Sequence, residues 1–214
     1  MRIKLKMPYP SKTGMANLTT YLLAIIGAFF ILQMLIEPLT GMLDFDPLVA
    51  LTQPWRFVTS MFLHGSVMHI FFNAYALFIF GSILERKVSS KDYLIIFFGA
   101  GLIGGFLYYL TYVLGIIPPI PALGASGAIY GILGAVAVLI PDLVIFFWFF
   151  PMKIRYAAIL WVVLEFMGTF DITSGVASAA HLGGLLFGIA YAWFLSRREP
   201  EFHPQAWEWK QSYQ

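Results

Sequence analysis

The sequence predicts an all-α membrane protein, a compact bundle of six transmembrane helices with both termini in the cytoplasm. Three observations predict it. Of 214 residues, 60% are hydrophobic and 11% charged, with a mean hydropathy of +0.80; a soluble domain carries about 25% charged residues. The apolar residues gather into runs close to the roughly 20 needed to span a bilayer. The basic residues, finally, sort to one side of such a bundle.

Taken in order, the first run, 17–37, opens at Asn17 without a small-residue cleavage site, so it reads as a retained helix and not a signal peptide. The connection after it, 38–60, leads into "QPWRFVTSMFLHG" (Gln53 to Gly65), whose aromatic, charge-poor composition suits the membrane interface. Further runs follow at 61–84, 93–115, 124–141, 154–170 and 176–196. Between the fourth and fifth, "LVIFFWFFP" (Leu143 to Pro151) is apolar but too short to span and ends at a proline, which places it at the interface. The expected organisation is a cytoplasmic segment 1–16, a membrane domain 17–196 and a cytoplasmic tail 197–214. No internal repeat is visible.

With the N-terminus inside and six crossings, the inner side holds Arg2, Lys4, Lys6, Lys12, Arg86, Lys87, Lys91, Lys153, Arg155, Arg197, Arg198 and Lys210. Arg56 alone of the 13 basic residues falls outside, the positive-inside pattern. Cysteine is absent, which rules out a disulfide framework or thiolate metal site. A net charge of +2 is too small to point to nucleic acid.

Ionisable and polar side chains inside a membrane are costly and mark function by default. The second run carries His64, His69 and Asn73 in "HGSVMHIFFNAY", the fourth Ser126 and Tyr130 in "GASGAIYG", the fifth Glu165, and the sixth His181 in "AAHLGGLLFG". The second, fourth and sixth runs all enter from the outside. His69, Ser126 and His181 each fall within about two turns of that entry, so at 1.5 Å per residue they share one shallow depth. Ser126, Tyr130, Gly127, Gly131 and Gly134 occupy an arc of about 140° on the fourth helix. Gly184 and Gly188 share the face of His181, and glycine lets helices approach closely. Packing these two faces brings the His181 imidazole toward the Ser126 hydroxyl. His69 and Asn73, four apart on one face, can donate hydrogen bonds to a developing oxyanion together with the Ser126 backbone N–H.

These residues resemble the rhomboid family of intramembrane serine proteases. The resemblance runs from Trp55 to Gly188 and rests on "GASG" around Ser126, "AHLGGLLFG" around His181, "HGSVMHIFFN" with His69 and Asn73, the Trp55-Arg56 pair, and Glu85-Arg86-Lys87. It implies Ser126 as nucleophile, His181 as general base, and an oxyanion hole aided by His69 and Asn73. It implies further that Tyr130 packs on the His181 ring, that Gly124, Gly127, Gly184 and Gly188 support the site, that the first outer loop braces the fold, and that the fifth helix moves to admit a substrate helix. The expected partners are transmembrane protein substrates and the lipid bilayer, with no cofactor, metal or nucleic acid; the sequence sets no oligomeric state.

A serine hydroxyl needs an adjacent base to attack at neutral pH, and such a base is usually oriented by an acid. Only Glu165 and Asp171 are placeable near His181, Asp171 at the outer end of the fifth helix and Glu165 deeper. Neither is expected as a third catalytic member; the Tyr130 ring is expected to hold the imidazole instead. Plainer readings stand beside these. Ser126 alone is a packing residue, His69 and Asn73 an interhelical hydrogen-bond pair, His64 a loop or interface residue, Tyr130 structural, and Glu165 a structural or gate element. A non-catalytic rhomboid-like protein that binds or escorts membrane proteins is the alternative function, although such proteins are expected to lack the serine or the histidine. A metal-handling transporter using His64, His69 and His181 is a third, disfavoured because His64 and His69 stand about 140° apart on a helix.

Overall fold

The computed structural model describes residues 17–147, 149–171 and 177–197. The segment 1–16 and most of the tail, with Arg2, Lys4, Lys6, Lys12, Arg198 and Lys210, lie outside the described residues. Each of the six apolar runs carries a helix. Helix α1 (Leu18–Leu35) is followed by the short α2 (Leu39–Leu43) and α3 (Arg56–Thr59) in the first long connection. Next come α4 (Val67–Ala76), α5 (Ser82–Glu85), α6 (Ser90–Val113) and α7 (Ser126–Leu139). Strands β1 (Val144–Phe147) and β2 (Phe150–Lys153) precede α8 (Ile154–Gly168) and α9 (Ser178–Arg197).

Among the described residues four helical stretches are long and apolar enough to cross a membrane: Leu18–Leu35, Val67–Glu85, Ser90–Val113 and Ser178–Arg197. The second of these is continuous because a π-helical turn, Leu77–Gly81, joins α4 to α5. Helices α7 and α8 are shorter, at 14 and 15 residues.

Two sequence expectations are corrected. The run 61–84 is not one helix: Ser60–Phe62 forms a 3-10 turn, the chain extends at Leu63, and α4 begins only at Val67. Ser66 caps that start by accepting from the His69 N–H at 3.1 Å, so His64 sits in the connecting loop and not on the helix. The all-α class is likewise incomplete, because strands Val144–Phe147 and Phe150–Lys153 pair antiparallel, with Val144 opposite Lys153 and Ile145 opposite Met152. Their aromatic and β-branched residues favour a strand, and Pro151 is tolerated because the ribbon has only edges.

The core is arranged around α7. Ten of its residues are buried, and it packs on α6 and α9 through Ile96, Phe97, Ile132, Val136 and Ala192, all in one apolar cluster. The outer faces are the reverse of a soluble protein: Leu35, Phe71, Phe78, Phe106 and Met167 are all exposed. Apolar exposure on that scale marks surfaces made for something other than water.

Polar side chains tie the helix ends. Glu85 accepts from the Leu18 N–H at 2.6 Å, the Thr19 N–H at 3.2 Å and the Thr19 hydroxyl at 2.7 Å. It thus satisfies orphan donors at the start of α1, where a negative charge suits the helix dipole. At the start of α6, Ser89 accepts from the Asp92 N–H, and Tyr191 of α9 donates to the Asp92 carboxylate at 2.9 Å.

Candidate active site

The segment leading into α7 is pinned from both sides. Ala122 and Phe45 exchange backbone hydrogen bonds of 2.8 Å each, and the Gly124 N–H donates to the Ser60 carbonyl at 2.9 Å. The loop that supplies Phe45 is held in turn by buried Arg56, which donates to the Asp44 carboxylate at 2.7 Å, the Asp44 carbonyl at 2.8 Å and the Gly41 carbonyl at 2.9 Å. Gly124 then takes φ +127°, a conformation that only glycine adopts cheaply. The chain turns there and α7 begins at Ser126.

No side chain caps this end of α7. The backbone N–H groups of the first turn have no partner within the helix and present its positive dipole end to whatever lies beside Ser126. A Cβ placed on Gly124 would lie 2.8 Å from His69 Nε2 and 3.7 Å from Ser126 Oγ. These two side chains therefore flank one point, and Gly124 keeps it open.

His181 comes from the first turns of α9, whose glycines carry it in. A Cβ on Gly184 would collide with the Gly127 carbonyl oxygen, and one on Gly188 with that of Gly131. The two helices therefore touch backbone to backbone. Across this contact His181 Nε2 lies 2.7 Å from Ser126 Oγ. The Tyr130 ring stacks on the imidazole with centroids 4.5 Å apart and planes 8° from parallel.

The fifth run supplies a carboxylate to the same place. Glu165, in the last turn of α8, accepts from the Tyr130 hydroxyl at 2.5 Å, and its other oxygen lies 3.2 Å from His181 Nδ1. That contact is an ion pair only when the ring is protonated, and Nδ1 makes no hydrogen bond of proper geometry. The sequence makes Glu165 one of two carboxylates placeable near His181 but leaves the rotation of α8 about its axis open, and the structure turns Glu165 toward the imidazole.

On α4, His69 accepts weakly at Nδ1 from the Gly65 N–H, 3.4 Å away. In the neutral ring this leaves the proton on Nε2, the nitrogen that faces Gly124. Asn73 is buried and donates one amide hydrogen to the His69 carbonyl at 2.9 Å; its amide carries a second. A cavity of about 680 Å³ has His69, Asn73, Ser126, Tyr130 and His181 in its wall, with Trp161 and Asp171 from the α8 side.

His64 stays apart. It is buried in the loop before α4, with its ring 5.0 Å from that of His69, and its backbone N–H donates to the Gln33 side chain at 2.9 Å. Among the described residues no group of three or more acidic or histidine side chains is placed to hold a metal ion.

Chemically, the assembled groups comprise a hydroxyl whose proton a neighbouring imidazole can accept. They also include side-chain donors at the mouth of a helix N-terminus, an arrangement suited to a developing negative charge.

The model of the Rhomboid domain family matches residues 51–198. Among curated proteins, the chain is 30% identical over 144 residues to the rhomboid protease GluP of Bacillus subtilis strain 168, covering 67% of this chain and 26% of that protein. To the rhomboid protease GlpG of Salmonella paratyphi A it is 27% identical over 159 residues, covering 69% of this chain and 50% of the relative. To GlpG of Salmonella choleraesuis it is 28% identical over a stretch of the same length and coverage. The chain thus spans half or less of the length of these relatives.

Proposed function

The chain belongs to the rhomboid family, and from that premise we propose that it is an intramembrane serine endopeptidase of the cell membrane. It crosses the bilayer six times with both ends in the cytoplasm and hydrolyses peptide bonds in or near the transmembrane segments of other membrane proteins. The observation that carries this reading is the 2.7 Å contact between Ser126 Oγ and His181 Nε2 at the wall of a cavity.

In the reaction His181 takes the Ser126 proton as the oxygen attacks the scissile carbonyl, then returns it to the leaving amine. His69, Asn73 and the Ser126 backbone N–H receive the oxyanion, and donors already in place stabilise it most effectively. Gly124, Gly127, Gly184 and Gly188 support the geometry, and Tyr130 holds the ring. The cavity admits the water that hydrolysis needs. A helical substrate hides its scissile bond within its own hydrogen-bond ladder, so it unwinds locally before cleavage. Sites near the outer boundary with small or helix-breaking residues are favoured.

The test is cleavage of a single-span membrane protein by the purified chain in proteoliposomes, beside Ser126→Ala and His181→Ala. Both variants are expected to lose all measurable cleavage while keeping the parent's folded yield. Parent-like cleavage by either sinks the assignment, and a parent that binds the substrate without cutting it favours the escort function.

A further inference from the structure

We propose that Glu165 is a positioning residue for His181, so that the site works through three side chains, Ser126, His181 and Glu165, rather than through the serine and histidine alone. The inference rests on the reading of Ser126 and His181 given above and goes one residue beyond it.

The carboxylate meets the side chains of two other helices. One oxygen takes the Tyr130 hydroxyl of α7 at 2.5 Å, and the other faces Nδ1 of His181 on α9 at 3.2 Å. Glu165 and His181 are each only 9% exposed, and a carboxylate so buried demands partners for its charge. The second observation is on the histidine. Nδ1 is buried and makes no formed hydrogen bond, although a neutral imidazole that accepts at Nε2 must carry its proton on Nδ1. The Glu165 oxygen is thus the group placed to receive that N–H and to keep Nε2 as the acceptor facing Ser126.

The balance of the step fits this role. The Ser126 Oγ–H bond breaks and its proton passes to Nε2. An Oγ–C bond forms, and the carbonyl π pair moves onto the substrate oxygen. Nδ1 keeps its proton throughout and Glu165 stays ionised, as the acid does in serine triads on unrelated folds. The ring is now a cation beside a carboxylate in a poorly screened site, so the loose resting contact tightens as charge develops. Tyr130 serves both members, stacking on the imidazole and donating to the carboxylate. Ring stacking alone fixes the ring's plane; the carboxylate also selects its tautomer.

The titratable groups around His181 are His69 from α4, Tyr130 from α7, Glu165 from α8, and Tyr108 and Asp171 along the cavity wall. Of these, Glu165 has an oxygen 3.2 Å from Nδ1. The experiment measures kcat, KM and their pH profiles for the full chain in proteoliposomes, with Ser126→Ala as the inactive control. Fluorophosphonate labelling of Ser126 normalises each rate to the competent fraction. Glu165→Gln is expected to lower kcat about tenfold to a hundredfold, at or below the lower end of the roughly 10²–10⁴-fold of a general base itself, as fits a residue that acts through another. KM should stay within about twofold, and the acid limb of kcat/KM should move to lower pH because the imidazolium has lost its counter-charge. Glu165→Asp keeps the charge and should hold the acid limb near that of the parent even where its rate falls.

Parent kcat and an unmoved acid limb in Glu165→Gln would overturn the proposal. So would equal losses and equal limbs in the Gln and Asp variants, which would make Glu165 a structural tie between α8 and α7. Cleavage by Ser126→Ala is a separate result, and it removes the underlying serine mechanism as well.

Discussion

Helices α9 and α8 both pack beside Tyr130 of α7, but they hold α7 by different chemistry. Between α7 and α9 the contact is backbone on backbone, with Gly184 against the Gly127 carbonyl and Gly188 against that of Gly131. Between α7 and α8 it is largely polar and aromatic, with the Tyr130 hydroxyl on Glu165 and the Tyr130 ring edge-on to Trp161 at 6.3 Å. At the far end Lys153 and Arg155 reach Asp142 at 2.7 and 2.8 Å. The glycine seam has no side chains to reorient, so it fixes the serine and histidine relative to each other. The polar seam consists of separable bonds, which would suit the movement of the fifth helix that the family resemblance implies.

The largest way to break this contrast is Gly184→Leu. A side chain there meets a backbone carbonyl, so the helices must part. We expect loss of all cleavage and a destabilisation at or above the roughly 1–3 kcal/mol typical of overpacked cores, read as a drop in Tm in detergent. An active, parent-stable variant would mean that the seam tolerates separation. Next comes Tyr130→Phe, which keeps the ring and removes the hydroxyl. It should retain the fold and cut kcat several-fold, an effect smaller than that of Glu165→Gln because the carboxylate remains. If Tyr130→Phe matches Gly184→Leu in severity, the two seams are not distinct.

The smallest effect is expected at Asp142→Asn, where the pair is solvent-exposed and screened. The Lys153 hydrogen bond first, then the charges of Arg155 and Lys153, hold the Asp142 carboxyl below its ordinary value of 3.8. A depressed carboxyl stabilises the fold above its unfolded value and loses that contribution as pH falls through the folded one. The protection factors of the hairpin amides in the parent should therefore fall only below about pH 4, and those of the variant should show no such step; the variant's cleavage at pH 7 should equal the parent's.

Much of the fold was legible because each apolar run declares a helix, four of the helical stretches long enough to cross a bilayer. The meeting of Ser126 with His181 could be anticipated as well, because the glycine spacing on the fourth and sixth runs pointed those two helix faces together. Rotation was not legible for α8. Its apolar residues go nearly all round, so nothing in the sequence said that Glu165 turns toward His181. The break at Leu63 was hidden because Met61, Phe62 and Leu63 extend the apolar run into a segment whose turn depends on Ser66 capping α4. The hairpin was hidden because strand pairing depends on a partner, and a nine-residue apolar stretch does not announce one.

The glycine seam has one further consequence, for how such a chain changes over generations. The surfaces that set the spacing between the serine-bearing and histidine-bearing helices are peptide groups, and no substitution alters a carbonyl oxygen. Random drift can enlarge a glycine and disrupt the contact outright, but it cannot shift the contact by a few tenths of an ångström. Selection at those positions therefore sees few intermediate states. Exposed residues such as Phe71 and Phe106 are free to vary in size and shape without carrying the reactive atoms out of register.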